Sequence, residues 1–197
     1  MMTAVQRDPS YRTISSGPEA GIKPAAGQET AVADLLTAPH PHMACWRKAE
    51  MPAFVRVLKA VPQGRLDYRP EPKARSAAAL AWLLATEEAA LVSLLDSGSV
   101  SWKEDAPPAS IDAIVAAFER SAVAVDERLG RLDEAGWEKK VRFLLEGAPP
   151  WEDTLGEFFW GFLFDAVHHR GQLSTYLRPM GSKVPSIYGP SGDDPGQ

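Results

Sequence analysis

The 197-residue sequence predicts an all-α chain, a four-helix bundle, on three observations. Apolar residues recur at helical spacing in four long stretches beyond residue 29. Connectors rich in proline and glycine separate those stretches, notably at 62–70, 107–108 and 149–150. No internal repeat and no parallel-sheet pattern competes with that reading.

Residues 1–28 are mostly Ser, Gly, Pro, Ala and charges, which cannot bury enough surface to order themselves, so they are read as a flexible tail. The domain proper is placed at 29–194. A short apolar-periodic piece at 30–37 stops at Pro39 and Pro41. The first long helix spans about 43–60, with Trp46, Phe54, Val57, Leu58 and Val61 as its inner stripe and Pro52 implying a kink or restart. Ser76 caps a second helix reaching about residue 95, apolar nearly all round and hence central. Ser110 caps the third, which runs to about 132. Residues 137–148 alternate well enough for a short strand or extended edge. The fourth helix begins near Trp151, after Pro149 and Pro150, and ends near Leu177, before Pro179. The segment 185–190 suits a docked turn at Tyr188, and 193–197 reads as disordered.

Composition narrows the function. A formal charge of −5, with no Lys/Arg cluster that outweighs its acidic neighbours, argues against a nucleic-acid partner. No stretch approaches the ~20 apolar residues of a membrane span. The single cysteine, Cys45, forbids an internal disulfide and a thiolate cluster, fits a cytoplasmic protein, and is read as a small buried filler.

The chemistry concentrates on the last helix. Asp165, His169, Gln172 and Tyr176 follow at spacings of four, three and four, a continuous polar stripe, with Phe159, Phe162, Phe164 and Val167 on the opposite surface. A carboxylate and an imidazole one turn apart can supply two ligands to a divalent metal, or can form a general base with Asp165 orienting His169. Periodicity alone equally allows the stripe to face solvent. His168 points some 100° away and is read as a packing or supporting residue. Arg170 could orient an anion but is read as a surface salt bridge. His40 and His42, in a Pro-rich setting, are read as surface residues.

The run Asp165, then His168-His169-Arg170-Gly171-Gln172-Leu173, Tyr176-Leu177-Arg178-Pro179-Met180-Gly181 and Val184-Pro185-Ser186-Ile187-Tyr188-Gly189-Pro190, resembles the C-terminal signature of the DinB-like family. That family is related to bacillithiol transferases and mycothiol-dependent maleylpyruvate isomerases. The resemblance implies an up-down-down-up four-helix bundle, often a homodimer, holding a divalent metal through a histidine on the second helix and a pair four apart on the last. That pair is typically His-x-x-x-His, or Glu-x-x-x-His in relatives, and Asp165 with His169 is a variant of it. Leu83 stands where the second-helix histidine is expected, and Glu87, one turn further on the same face, is the candidate third ligand.

Such a carboxylate-rich set shifts preference among Zn, Ni, Mn and Fe away from zinc. The resulting expectation is a metal-dependent enzyme of the thiol-transferase or hydrolase-like kind, acting on a small molecule with catalytic His169 and Asp165 and possible use of a low-molecular-weight thiol. The alternative is a metal-free relative with a binding or structural role, in which Leu83 closes the site.

Overall fold

The computed structural model describes residues 39–196, with residues 39 and 40 by backbone alone. The expected tail at 1–28, the piece at 30–37, the side chain of His40 and the terminal Gln197 lie outside the described residues. The described chain is mostly helical, with five α-helices and a three-stranded sheet. The sheet corrects the all-α expectation.

Helix α1 covers Pro39–Lys59 and runs through Pro52 as one element. Its buried residues are Met43, Arg47, Glu50, Ala53, Phe54, Val57 and Leu58, at helical spacing. Trp46, expected inside, is 54% exposed. The register is set by two buried ion pairs, Arg47 with Glu88 and Glu50 with Arg170, which hydropathy alone would have turned outward. Cys45, expected as a buried filler, is also exposed on this helix.

Helix α2, Ala77–Ser97, starts where the Ser76 side chain accepts from Ala79 N at 3.1 Å. It ends at Gly98, whose φ of 72° is the left-handed cap that favours glycine. By length and composition it could cross a membrane, contrary to expectation, yet 61% of its most apolar window is buried inside the protein. It packs against α3, Ile111–Leu129, and α5, Leu155–Leu177, and α1 packs against the same two helices. Ser110 precedes α3 in extended conformation but its side chain caps nothing. Gln63 does that work instead, its Oε1 accepting from Ile111 N at 2.9 Å and its Nε2 donating to Ala109 O at 2.8 Å. Helix α3 stops at Leu129, three residues short of the expected end, and the single-turn helix α4, Glu134–Trp137, follows.

Strand β1, Ser99–Trp102, pairs in parallel with β2, Lys140–Leu145, and β2 pairs antiparallel with β3, Trp151–Thr154. The parallel pairing corrects the expectation of no parallel-sheet pattern, since a four-residue strand is too short to show a period. The ambiguous 137–148 segment thus contains a strand. Trp151, expected to open the last helix, lies on β3, and α5 begins four residues later with Thr154 accepting from Glu157 N. Trp102, Phe143 and Trp151 on the sheet pack against Phe158 and Phe162 of α5, with Phe143 stacked on Phe158 and the other pairs tilted. Phe164, expected on the apolar surface, is 66% exposed and stacks on Trp160.

The C-terminal segment lies against the helices. Asp193 accepts from Arg178 Nε and Val184 N, and Asp194 accepts from Ser186 N, so both residues expected to be disordered are anchored. Arg170, expected at the surface, is buried: Nη1 meets Glu50 Oε2 at 2.5 Å, Nη2 donates to the Tyr188 hydroxyl at 2.6 Å, and the guanidinium lies over the Phe54 ring.

Candidate metal centre

Among the described residues, one group of His, Cys, Asp and Glu side chains is arranged as metal ligands are: Glu87, Asp165 and His169. Each offers a ligand atom, and these atoms lie within 4.8 Å of one another. Helix α2 supplies Glu87. Helix α5 supplies the other two, four residues apart, so that one turn stacks them on the same face. His169 Nε2 stands 3.5 Å from Asp165 Oδ1.

Glu87 is brought inside because α2 is apolar on most of its circumference, with Leu83, Leu84, Ala90 and Leu91 buried around it. The contrast with its neighbour Glu88 is instructive. Both are buried, but Glu88 receives two hydrogen bonds from Arg47, at 3.0 and 2.7 Å, and Arg47 also reaches Asp126. Glu87 is 2% exposed and its Oε2 has no hydrogen-bond partner. An uncompensated buried carboxylate is costly, so the group holds its proton instead. Burial pushes its pKa well above the ordinary glutamate range, and the adjacent Asp165 adds to this through its charge and a hydrogen bond that only a protonated Glu87 can donate. Leu83, at the expected histidine position, is buried one turn before it.

Asp165 is shifted the other way. The hydrogen bond with His169 holds its carboxyl below the usual range, against the opposing effect of partial burial. For His169, burial alone would lower the pKa. Hydrogen bonds with Asp165 and Gln172, together with the Asp165 charge, outweigh it and raise the value. The two carboxyls are thus shifted in opposite directions beside one imidazole.

The remaining stripe residues divide. Gln172 lies beside His169, with Oε1 2.9 Å from Nδ1. Tyr176 turns its hydroxyl to the carbonyl of Arg75 at 3.3 Å and packs edge-on against Tyr68. His168 is exposed and touches Gln172, whereas half-buried His42 is no part of the group. A neighbour not singled out by pattern is Arg75, just before the Ser76 cap. Its charge acts on Glu87, Asp165 and His169, and Glu104 holds its guanidinium at 2.7 Å. Only its place at the start of α2, opposite α5, could have pointed to it.

Two carboxylate oxygens and one imidazole nitrogen form a hard donor set. Glu87, with an unpartnered buried oxygen and a carboxylate oxygen within 4.8 Å of ligand atoms on Asp165 and His169, fits a divalent cation, because a positive charge there would remove the penalty that keeps the carboxyl protonated.

The family model described as the DinB family matches residues 34–196. A DinB-like protein from Bacillus cereus has a similar structure, with a TM-score of 0.60 and 20% identity over 72% of this chain and 92% of that one. A DinB-like protein from Bacillus subtilis, YjoA, gives a TM-score of 0.59 and 15% identity over 74% of this chain and 97% of that one. A mycothiol-dependent maleylpyruvate isomerase is more distant, with a TM-score of 0.50 and 13% identity over 74% of this chain and 62% of that one. No curated protein sequence matches.

Proposed function

From the chain's membership of the DinB family, which its match over residues 34–196 shows, we propose that it is a divalent-metal-dependent enzyme acting on a small molecule. Glu87, Asp165 and His169 are the ligands in this reading, and the reaction is of the thiol-transferase or hydrolase-like kind. One observation carries it: a buried glutamate with an unpartnered oxygen, grouped with a second carboxylate and an imidazole whose ligand atoms all lie within 4.8 Å of one another. The structural similarity to a mycothiol-dependent isomerase supports a thiol as co-substrate.

A divalent ion held there supplies Lewis-acid chemistry, lowering the pKa of a bound water or thiol. The chain's own groups do the rest. Without the ion, Asp165, held ionised, faces the imidazole at Nε2 and raises its basicity, so that in this state His169 and Asp165 form a proton-handling pair. Glu87 gives up its proton only against a positive charge. The oxygen-rich donors favour manganese or iron over zinc. The four long helices are read as an up-down-down-up bundle within a 29–194 domain, and the protein as a homodimer.

Leu83, buried beside Glu87, favours a second reading: a metal-free relative in which Asp165 and His169 are a satisfied polar contact that fixes helix register. Metal analysis of protein purified without chelator or histidine tag, followed by Mn(II) titration of the stripped protein, separates the two. The enzyme reading expects uptake that Asp165→Ala and His169→Ala each abolish while helicity is retained. No uptake by the wild type, with His169→Ala lowering stability alone, would leave the second.

A further inference from the structure

We infer that Arg75 anchors a carboxylate on the small molecule that enters the metal centre, and that Glu104 is the internal group this carboxylate displaces. On the reading of Glu87, Asp165 and His169 as a metal centre, on which this inference rests, the substrate is a small carboxylic acid whose anionic end docks at Arg75.

Helices α2 and α5 run antiparallel along one groove. Glu87 meets Asp165 and His169 at one end of it. Toward the other end Tyr176, seven residues beyond His169 on the same polar stripe, donates its hydroxyl to the carbonyl of Arg75 at 3.3 Å. Seven residues are two turns, about 10 Å of helix, a span that a small molecule and a long side chain bridge together. The guanidinium charge acts on Glu87, Asp165 and His169, so the side chain lies on the groove side of α2. The side chains of Asp165 and His169 keep 32% and 16% of their surface, so the centre is open to solvent, with buried Glu87 as its floor.

Nη1 and Nη2 of Arg75 meet the two oxygens of Glu104 at 3.3 and 2.7 Å, the parallel contact by which a guanidinium grips a carboxylate. The two partners are held differently. The backbone under Arg75 is fixed: Ser76 caps α2, Ala77 N donates to Tyr68 O and Ala78 N to Leu66 O, both at 2.9 Å. Glu104 lies on the stretch between β1 and α3, which is neither helix nor strand, with Lys103, Asp105 and Ala106 exposed around it. Its side chain is 62% exposed and that of Arg75 41%, a setting in which an ion pair adds little stability. A ligand carboxylate therefore exchanges with Glu104 at small cost, since one two-point contact replaces another and the glutamate returns to water. Arg75 is thus a fixed fork at the head of the groove, presented in the geometry that a carboxylate requires.

The probe is 3-mercaptopropionate, compared with 3-mercaptopropan-1-ol, which carries a hydroxyl where the probe carries its carboxylate. Binding is followed by calorimetry and by the Nε–Hε NMR signal of Arg75, on the metal-free and on the Mn(II)-loaded protein. The wild type should favour the acid over the alcohol roughly tenfold, the worth of one charge-assisted contact, with the Arg75 signal moving for the acid alone. Arg75→Gln should abolish that preference, and Arg75→Lys, which keeps the charge but not the fork, should restore only part of it. Glu104→Gln should instead strengthen acid binding several-fold, because the internal competitor is gone. An ion pair with a purely structural role would give Arg75→Gln and Glu104→Gln the same effect, so their opposite signs are the decisive readout. Equal binding of acid and alcohol by the wild type, a preference that survives in Arg75→Gln, or weaker acid binding in Glu104→Gln would overturn the inference. An acid preference in the metal-free protein, together with no uptake of Mn(II), would defeat the metal-centre reading and leave Arg75 as a carboxylate anchor. Uptake of Mn(II) with no acid preference would defeat the role of Arg75 and leave the metal centre.

Discussion

Replacing Glu87 by glutamine should make the metal-free protein more stable and the metal-loaded protein less so. Glutamine is a neutral isostere of the protonated acid and can still donate to Asp165. The native pKa of Glu87 is raised, so its contribution to stability is fully present below about pH 4.5, the ordinary glutamate value, and is lost as pH rises through the native value. The variant should therefore match the wild type at pH 4 and exceed it at pH 8. At 2–4 °C per kcal/mol for a chain of this size, every kcal/mol that the ionisation equilibrium of Glu87 costs the wild type at pH 8 shows as a Tm about 2–4 °C higher for the variant in chelator.

A cation at a hundred times its Kd stabilises the wild type by about 2.7 kcal/mol, and the variant, lacking one ligand, should forgo most of that. The order of the two melting curves thus reverses between EDTA and Mn(II). His169 also has a raised pKa and contributes a loss in the same direction as pH rises past about 6.5, so the variant should flatten the pH dependence only in part. Asp165 acts at the other end, its lowered pKa giving stability that disappears as pH falls below about 3.8. Thermal melts at pH 4 and pH 8, each with EDTA and with Mn(II), contain the whole test. Equal stability of variant and wild type in EDTA at pH 8 would refute the claim that Glu87 is a buried, uncompensated acid.

Arg47→Ala leaves Glu88 buried without its cation and should cost roughly 3–5 kcal/mol by urea unfolding, whereas the double change Arg47→Met with Glu88→Leu should recover most of that loss. A double variant as unstable as Arg47→Ala alone would show that the pair is not the cause. Gly156, in the first turn of α5, faces the indole of Trp137 so closely that an added Cβ would land on the ring. Gly156→Ala should therefore destabilise by about 1–3 kcal/mol, against the usual gain from alanine in a helix, and a neutral or stabilising result would mean that Trp137 moves freely.

Much of the helical layout is readable from sequence because helix signals are local. Ser76 and the apolar run that follows it define the start of α2, and Gly98 ends it in the left-handed conformation. The stripe Asp165–His169 is equally local, since one turn of helix decides that two side chains share a face. The sheet is different: β1 and β3 are four residues each, and the parallel partner of β1 lies beyond the whole of α3. Charge misled in a consistent way. Arg47, Arg170, Glu50, Glu87 and Glu88 are all buried, and their partners are 41 to 120 residues distant where they have them, so no window of sequence contains the pair.

What the sequence determined by itself is the succession of helices, their caps, and the placement of a carboxylate and an imidazole on one face of the last one. These are properties of neighbouring residues, and backbone geometry converts them directly into position. Tertiary packing alone decided that Glu87 meets that pair while Glu88, next to it, meets Arg47. Two adjacent residues on a helix point about 100° apart, and whether each finds a cation, a carboxylate or water depends on which helix lies across from it.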